Sequence, residues 1–70
     1  MVDEFRFHGS AKHIEKLAET SDKETSERAR KLFEEFRLIV EADRNVRTEE
    51  SVKDELLTRM NKLITEVANR

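Results

Sequence analysis

The chain has 70 residues, no cysteine, and 14 basic against 16 acidic side chains, which give a net charge of −2. This length predicts one domain, residues 1 to 70, with a small hydrophobic core. The lack of cysteine excludes disulfides, thiolate zinc sites and cysteine nucleophiles. Because basic and acidic residues alternate along the chain, the sequence predicts no nucleic-acid partner.

Hydropathy predicts no membrane partner. No apolar run approaches the roughly 18 residues that a membrane-spanning helix needs. The start of the chain, "MVDEFRFHGS", is acidic and lacks the apolar core of a signal peptide. We therefore expect a soluble protein, with cytoplasmic expression if the chain is recombinant.

The composition favours helices, with no proline, one glycine and many residues that lose little freedom in a helix. Charged residues make up 43% of the chain, which is also typical of disordered segments. The apolar residues nevertheless recur at helical spacing, so the sequence predicts an all-α fold.

The N-terminal segment, residues 2 to 8, allows two structures. Phe5 and Phe7 alternate as in a strand, although the chain offers no partner strand. The alternative is a single helical turn capped by Asp3 and ended by Gly9. In either form, the segment is expected to pack as a cap on the rest of the protein.

A short first helix is predicted over residues 11 to 20, with Ser10 as its N-cap and with Ile14, Leu17 and Ala18 facing inward. The polar run "ETSDKETSER" follows and predicts a turn near residues 20 to 22. The helical phase does continue through this run, so one helix over residues 11 to 43 is the alternative.

A long second helix is predicted over residues 22 to 43, with Ser21 and Glu24 forming a capping box at its start. Leu38 lies on the flank of its apolar face. The inward residues of this helix are Ala29, Leu32, Phe33, Phe36, Ile39 and Val40.

A third helix of similar length is predicted over residues 49 to 68, with Thr48 as its N-cap. Its inward residues are Val52, Leu56, Leu57, Met60, Leu63, Ile64 and Val67. The matched lengths predict an antiparallel hairpin of the second and third helices. In the connection, Ala42 and Asp43 are expected to end the second helix, with Val46 tucked under the reversal and Asn45 carrying any left-handed conformation.

These elements predict a small three-helix bundle. The short first helix covers only part of the hairpin and leaves apolar surface open near Phe36, Val40, Val52 and Leu56. We expect Phe5 and Phe7 to fill that gap, although the same surface could bind a partner helix or close by homodimerisation.

The stretch "EADRNVRTEE" has two apparent functional matches, and both fail. As a calcium loop beginning at Asp43 and Asn45, it has Arg47 in place of an oxygen ligand, Thr48 in place of the turn glycine and Asp54 in place of the bidentate Glu. As a groove-binding helix built on Leu38, Ala42 and Asp43, it has Glu34 and Glu41 where apolar anchors are needed. A turn is the better prediction.

Other candidate chemistry is equally weak. His8 and His13 are five residues apart, so a helix would not place them on one face as a metal pair, even with Glu4 and Glu15 nearby. Adjacent carboxylates, at positions 34 and 35 and at 49 and 50, point about 100° apart on a helix. The sequence therefore predicts no catalytic, cofactor-binding or metal-ligating residue, no small-molecule substrate and no enzyme.

Acidic residues often precede basic ones by four positions, which predicts a solvated face of ion pairs within each helix. The pairs are Glu24 with Arg28, Glu27 with Lys31, Glu49 with Lys53, Glu55 with Arg59, and Glu66 with Arg70. Together with the caps and the lack of cysteine and proline, this pattern resembles computationally designed helical bundles. The resemblance implies an engineered monomeric scaffold without evolved activity, and the alternative is a natural module that binds a partner helix or homodimerises.

Overall fold

The computed structural model describes residues 3–43 and 49–70, which form three helices and no strand. Helix α1 spans Glu4–Thr20, α2 spans Lys23–Ala42 and α3 spans Glu50–Ala68. All three helices contact one another, which confirms the all-α three-helix bundle. The break between the first two helices, at Ser21 and Asp22, is also confirmed, so the single long helix is wrong.

The N-terminal segment is not a separate cap, because residues 4 to 8 form the start of α1, which was expected to begin only at residue 11 after Ser10 as its N-cap. Asp3 is the N-cap, as one alternative expected, and its carboxylate accepts hydrogen bonds from the backbone N–H groups of Phe5 and Arg6. The helix then continues through Gly9, whose φ is not positive. Burial of Phe7 and Ala11 on the core face offsets the roughly 1 kcal/mol by which an interior glycine weakens a helix.

Replacing Gly9 should therefore stabilise the protein. A Cβ atom added at this residue would meet no atom within 4 Å, and the residue is exposed. We expect Gly9→Ala to raise the free energy of unfolding by about 0.5 to 1 kcal/mol, because alanine has the higher helix propensity and restricts the unfolded chain. Urea unfolding followed by circular dichroism measures this change. A destabilised variant would contradict the helical conformation of residue 9.

The start of α2 differs from the expected capping box. Ser21 ends α1, since its backbone N–H donates to the carbonyl of Leu17. Asp22 is the N-cap of α2, and its carboxylate accepts from the N–H of Thr25 at 3.4 Å. A carboxylate also interacts favourably with the positive end of the helix dipole, which favours Asp22 over the neighbouring serine.

At the start of α3 the N-cap is Glu49, which makes no side-chain capping bond. Thr48, the expected cap, lies outside the described residues, as do the expected roles of Asn45 and Val46 in the turn.

The helices run up, down and up, as four cross-helix contacts demonstrate. Between α1 and α2, Ser26 Oγ donates to the carbonyl of Ala18, while the rings of Phe7 and Phe36 lie 4.9 Å apart. The first pair joins the end of α1 to the start of α2, and the second joins the start of α1 to the second half of α2, so the two helices are antiparallel. Arg28 with Glu66 and Arg59 with Glu35 show the same antiparallel register for α2 and α3.

The core follows steps of three and four on every helix. Phe7, one of its two phenylalanines, is 1% exposed and packs against the other, Phe36. The ten buried apolar residues are Phe7, Ala11, Ile14, Leu17, Ala29, Leu32, Phe36, Leu56, Met60 and Leu63. The partly buried residues packed against them are Ala18, Phe33, Ile39, Val40, Leu57, Ile64 and Val67. The inward faces expected for the three helices are confirmed, except that Val52 is 44% exposed.

Candidate functional site

Two polar side chains are buried among the described residues, and each lies at an end of the core stripe of its helix. Lys53 precedes Leu56, Met60 and Leu63 on α3 and is 7% exposed, whereas Thr25 precedes Ala29 on α2 and is fully buried. Because α2 and α3 are antiparallel, these residues lie at opposite ends of the bundle. No buried side-chain nitrogen or oxygen in the described part of the chain lacks a hydrogen-bond partner.

Lys53 joins all three helices. Its ammonium group donates to Glu4 Oε1 on α1 at 3.0 Å and forms an ion pair with Asp43, the C-cap of α2. The hydrogen bond to Asp43, and secondarily the one to Glu4, raises the pKa of Lys53 above its usual value, although partial desolvation opposes this effect. We call Glu4, Asp43 and Lys53 the Lys53 cluster. A lysine held in its charged form cannot act as a nucleophile, so this cluster is suited to holding the three helices together.

A second polar cluster closes the other end of the bundle around Thr25. Its hydroxyl accepts a hydrogen bond of 2.9 Å from Arg70 Nη1. Arg70 also lies 3.7 Å from Asp22 and 3.6 Å from Glu66, so it joins the start of α2 to the end of α3. The pKa of Asp22 is lowered, mainly by its hydrogen bond with Thr25 and less by the charge of Arg70.

Ion pairs between helices dominate the exposed face, which corrects the expectation of pairs within each helix. Arg28 donates two hydrogen bonds of 3.1 Å to the carboxylate of Glu66, and this contact lowers the pKa of Glu66. Arg59 contacts both carboxylate oxygens of Glu35 at 3.0 Å.

Of the five expected pairs, Glu66 with Arg70 forms a salt bridge. Glu24 and Glu55 act on the arginines one turn ahead of them more weakly, through charge alone. Lys53, expected to pair with Glu49, instead pairs with Glu4 on α1 and Asp43 at the end of α2. Lys31, expected to pair with Glu27, makes no salt bridge within the described residues.

His8 packs on the edge of the bundle. Its ring meets that of Phe36 edge-on at 5.2 Å, and its Nε2 lies 3.6 Å from Glu4 Oε2. His13 is exposed on the same helix. Within residues 3–43 and 49–70, no three His, Asp or Glu side chains converge with the spacing of a metal site.

The described residues of the rejected calcium loop and groove-binding helix lie in the bundle or on its surface. Asp43, the first ligand of the imagined calcium loop, forms the ion pair with Lys53, while Asn45, Arg47 and Thr48 lie outside the described residues. Leu38, the first anchor of the imagined groove ligand, is 61% exposed.

The apolar surface expected to remain open is largely closed. Phe36 is 9% exposed and Leu56 is 2% exposed, because α1 extends far enough to place Phe7 against Phe36. Val40 is half-buried, and Val52 is exposed. Phe5 does not share the filling role that was expected of it, since it is 89% exposed on the opposite side of α1 from Phe7.

Comparison with known proteins provides no family, because no family model, curated protein or solved structure matches the chain. None of the helices described here is both long enough and apolar enough to cross a membrane.

Sequence reasoning missed the Lys53 cluster, although a signal for it is present. Lys53 continues the inward spacing of Leu56, Met60 and Leu63 by one step of three, so it occupies a core position. Its partners Glu4 and Asp43 are remote in sequence, and only the packing of three helices brings them to it.

Proposed function

We propose that this chain is an engineered helical scaffold, whose sequence is built to specify one fold and which carries no evolved biochemical activity. The observation that supports this proposal is the placement of Lys53 and Thr25 at opposite ends of the apolar core. Two apolar helix faces can pack in several registers that differ little in free energy. A polar side chain at a fixed core position destabilises the shifted registers, because it loses its partners there.

Both polar ends act against such shifts. If α3 slid by one turn, Lys53 would lose Asp43 and Glu4, and Arg70 would move away from Thr25. The same shift would break the ion pairs of Arg28 and Arg59 on the exposed face. All of these contacts agree on a single register, so the polar groups serve to specify the fold.

The test is whether the full chain folds alone. We expect a monomer by analytical ultracentrifugation, a cooperative thermal transition whose midpoint is independent of protein concentration, and a well-dispersed amide NMR spectrum. A chain that is molten alone, or whose midpoint rises with concentration, would contradict the scaffold proposal, because folding would then depend on a partner or a second copy.

A second candidate function is an interaction module, and the exposure of Phe5 favours it. This aromatic ring is 89% exposed and lies beside Gly9 and Lys12, where an apolar side chain of a partner helix could pack. If the chain homodimerises through this surface, Phe5→Ser will convert the dimer to a monomer without loss of helix content. In a monomeric scaffold, the same substitution leaves the sedimentation coefficient unchanged.

A further inference from the structure

A groove between α2 and α3 collects positive charge over an apolar floor. Its cavity of about 330 Å³ is at the small end of the range of roughly 300 to 1,000 Å³ that small-molecule sites occupy. The floor consists of Leu32 and Leu63, and every other lining residue is a cation. These four cations are Arg28, Lys31, Arg59 and Lys62.

The two arginines are fixed in place at the ends of this groove. Arg28 holds both carboxylate oxygens of Glu66 at 3.1 Å, and Arg59 holds both of Glu35 at 3.0 Å. Each guanidinium has five N–H donors, so the bidentate contact leaves donors for a further acceptor. The arginines are therefore already oriented before any ligand arrives.

The two lysines of the groove lie between these ion pairs. In the antiparallel register, Lys31 and Lys62 fall between Arg28 paired with Glu66 and Arg59 paired with Glu35. Neither lysine forms a salt bridge with any residue in 3–43 or 49–70. Like charges sharing one groove repel each other, and an anion placed between them would relieve that repulsion.

The residues that line the groove carry a positive charge even when the carboxylates paired with the two arginines are included. The four lining cations contribute four positive charges and their paired carboxylates two negative ones, which leaves a net +2. Glu24 and Glu55 act on the arginines through charge, but each lies one helical turn beyond its arginine, on the side away from the lysines. Glu27, four residues before Lys31, and Glu34, beside Lys31 in a neighbouring groove, form no salt bridge with it among the described residues. The residues that line the groove therefore keep a positive charge in a chain whose net charge is −2.

We propose that this α2–α3 groove binds a tetrahedral oxyanion with two negative charges, of the phosphate class. Lys31 and Lys62 supply point charges to the oxygens, and the free N–H groups of Arg28 and Arg59 supply directed hydrogen bonds. The leucine floor leaves room for a short apolar substituent, so a phosphate monoester fits the same site.

The experiment is a titration of the full chain with sodium phosphate at pH 7.5, at constant ionic strength maintained with sodium chloride. Amide NMR shifts should move saturably at residues around the groove, with a dissociation constant on the order of 1 mM. In Lys31→Gln/Lys62→Gln we expect the affinity to fall at least tenfold. The matched control, Lys16→Gln/Lys23→Gln, removes the same charge from two exposed lysines outside the groove and should bind phosphate as the wild type does.

Three results would overturn the proposal: shifts that do not saturate, equal affinity loss in both double variants, or unchanged affinity in the groove variant. Repeating the titration with phenyl phosphate distinguishes a free ion from a monoester, since tighter binding of the ester would place its ring against Leu32 and Leu63. A single Lys31→Glu variant changes the charge of the groove by the same amount as the double glutamine variant, so its affinity for phosphate should also fall at least tenfold.

Discussion

Phe7→Ala is expected to lower the free energy of unfolding by about 3 to 5 kcal/mol, the range typical of a buried phenylalanine truncated in a core. The ring is 1% exposed and packs on Phe36 with a centroid distance of 4.9 Å. A chain of 70 residues has a total stability of only about 3.5 to 10 kcal/mol by the usual per-residue range. The substitution therefore removes a large fraction of the total stability, and a wild type near the lower end of this range would leave the variant partly unfolded at room temperature.

Urea unfolding of the wild type and the variant measures this difference, and Phe5→Ala is its matched control. Phe5 has the same side chain two residues earlier on the same helix, but it is 89% exposed, so its truncation should change stability by less than about 0.5 kcal/mol. If Phe7→Ala cannot be studied because it does not fold, Phe7→Leu retains most of the apolar volume and should show a smaller loss. Equal effects at positions 5 and 7 would contradict the helical phase of α1.

The spacing of apolar residues explains which part of the fold could be predicted from sequence. Helices α2 and α3 have apolar residues at steps of three and four over many turns, so their existence and their inward faces, apart from Val52, followed from periodicity. The first two turns of α1 contain only Phe7 and Ala11 on the core face, and Gly9 between them is a common helix terminator. Local signals near Gly9 favoured a stop, and the tertiary burial of Phe7 outweighed them.

The polar contacts were less predictable for a different reason. An acidic residue four positions before a basic one can pair within its own helix, but a long cation such as Arg28 or Arg59 also reaches a neighbouring helix. Which partner it takes depends on the register and closeness of the helices, which are properties of the packed bundle. Sequence spacing therefore identified the charged residues correctly and their partners, in most cases, incorrectly.

Lys53→Glu is expected to lower the free energy of unfolding by about 2 to 3 kcal/mol. The substitution places a carboxylate at a position whose side chain is 9% exposed, within contact distance of the carboxylates of Glu4 and Asp43. Breaking a fully buried ion pair costs about 3 to 5 kcal/mol, and the smaller value applies here because the side chain of Glu4 is 59% exposed and remains hydrated. Chemical denaturation at pH 7 measures the loss.

Lys53→Met is the control that separates charge from packing. Methionine retains an unbranched apolar stem at the end of the core stripe but removes both ion pairs. Because the side chains of Glu4 and Asp43 are 59% and 27% exposed, they remain hydrated, and the loss should be about 1 kcal/mol, smaller than that of Lys53→Glu. A loss as large as that of Lys53→Glu would mean that the ion pairs themselves, and not the avoidance of three carboxylates, stabilise this end of the bundle.

The pH dependence of the same variants provides a second, independent test. The pKa of Lys53 is raised in the folded protein by its contacts with Asp43 and Glu4, so its stabilising effect is complete below its usual pKa of 10.5 and is lost as the pH rises through the higher folded value. Stability between pH 9 and pH 12 should therefore fall more steeply in the wild type than in Lys53→Met. Lys53→Glu should instead be destabilised less at acid pH. The neighbouring carboxylates raise the pKa of the new carboxyl group and favour its neutral form. The stability gap between Lys53→Glu and the wild type should narrow as the pH falls from 7 to 3, and a constant gap would exclude repulsion among the carboxylates as its cause.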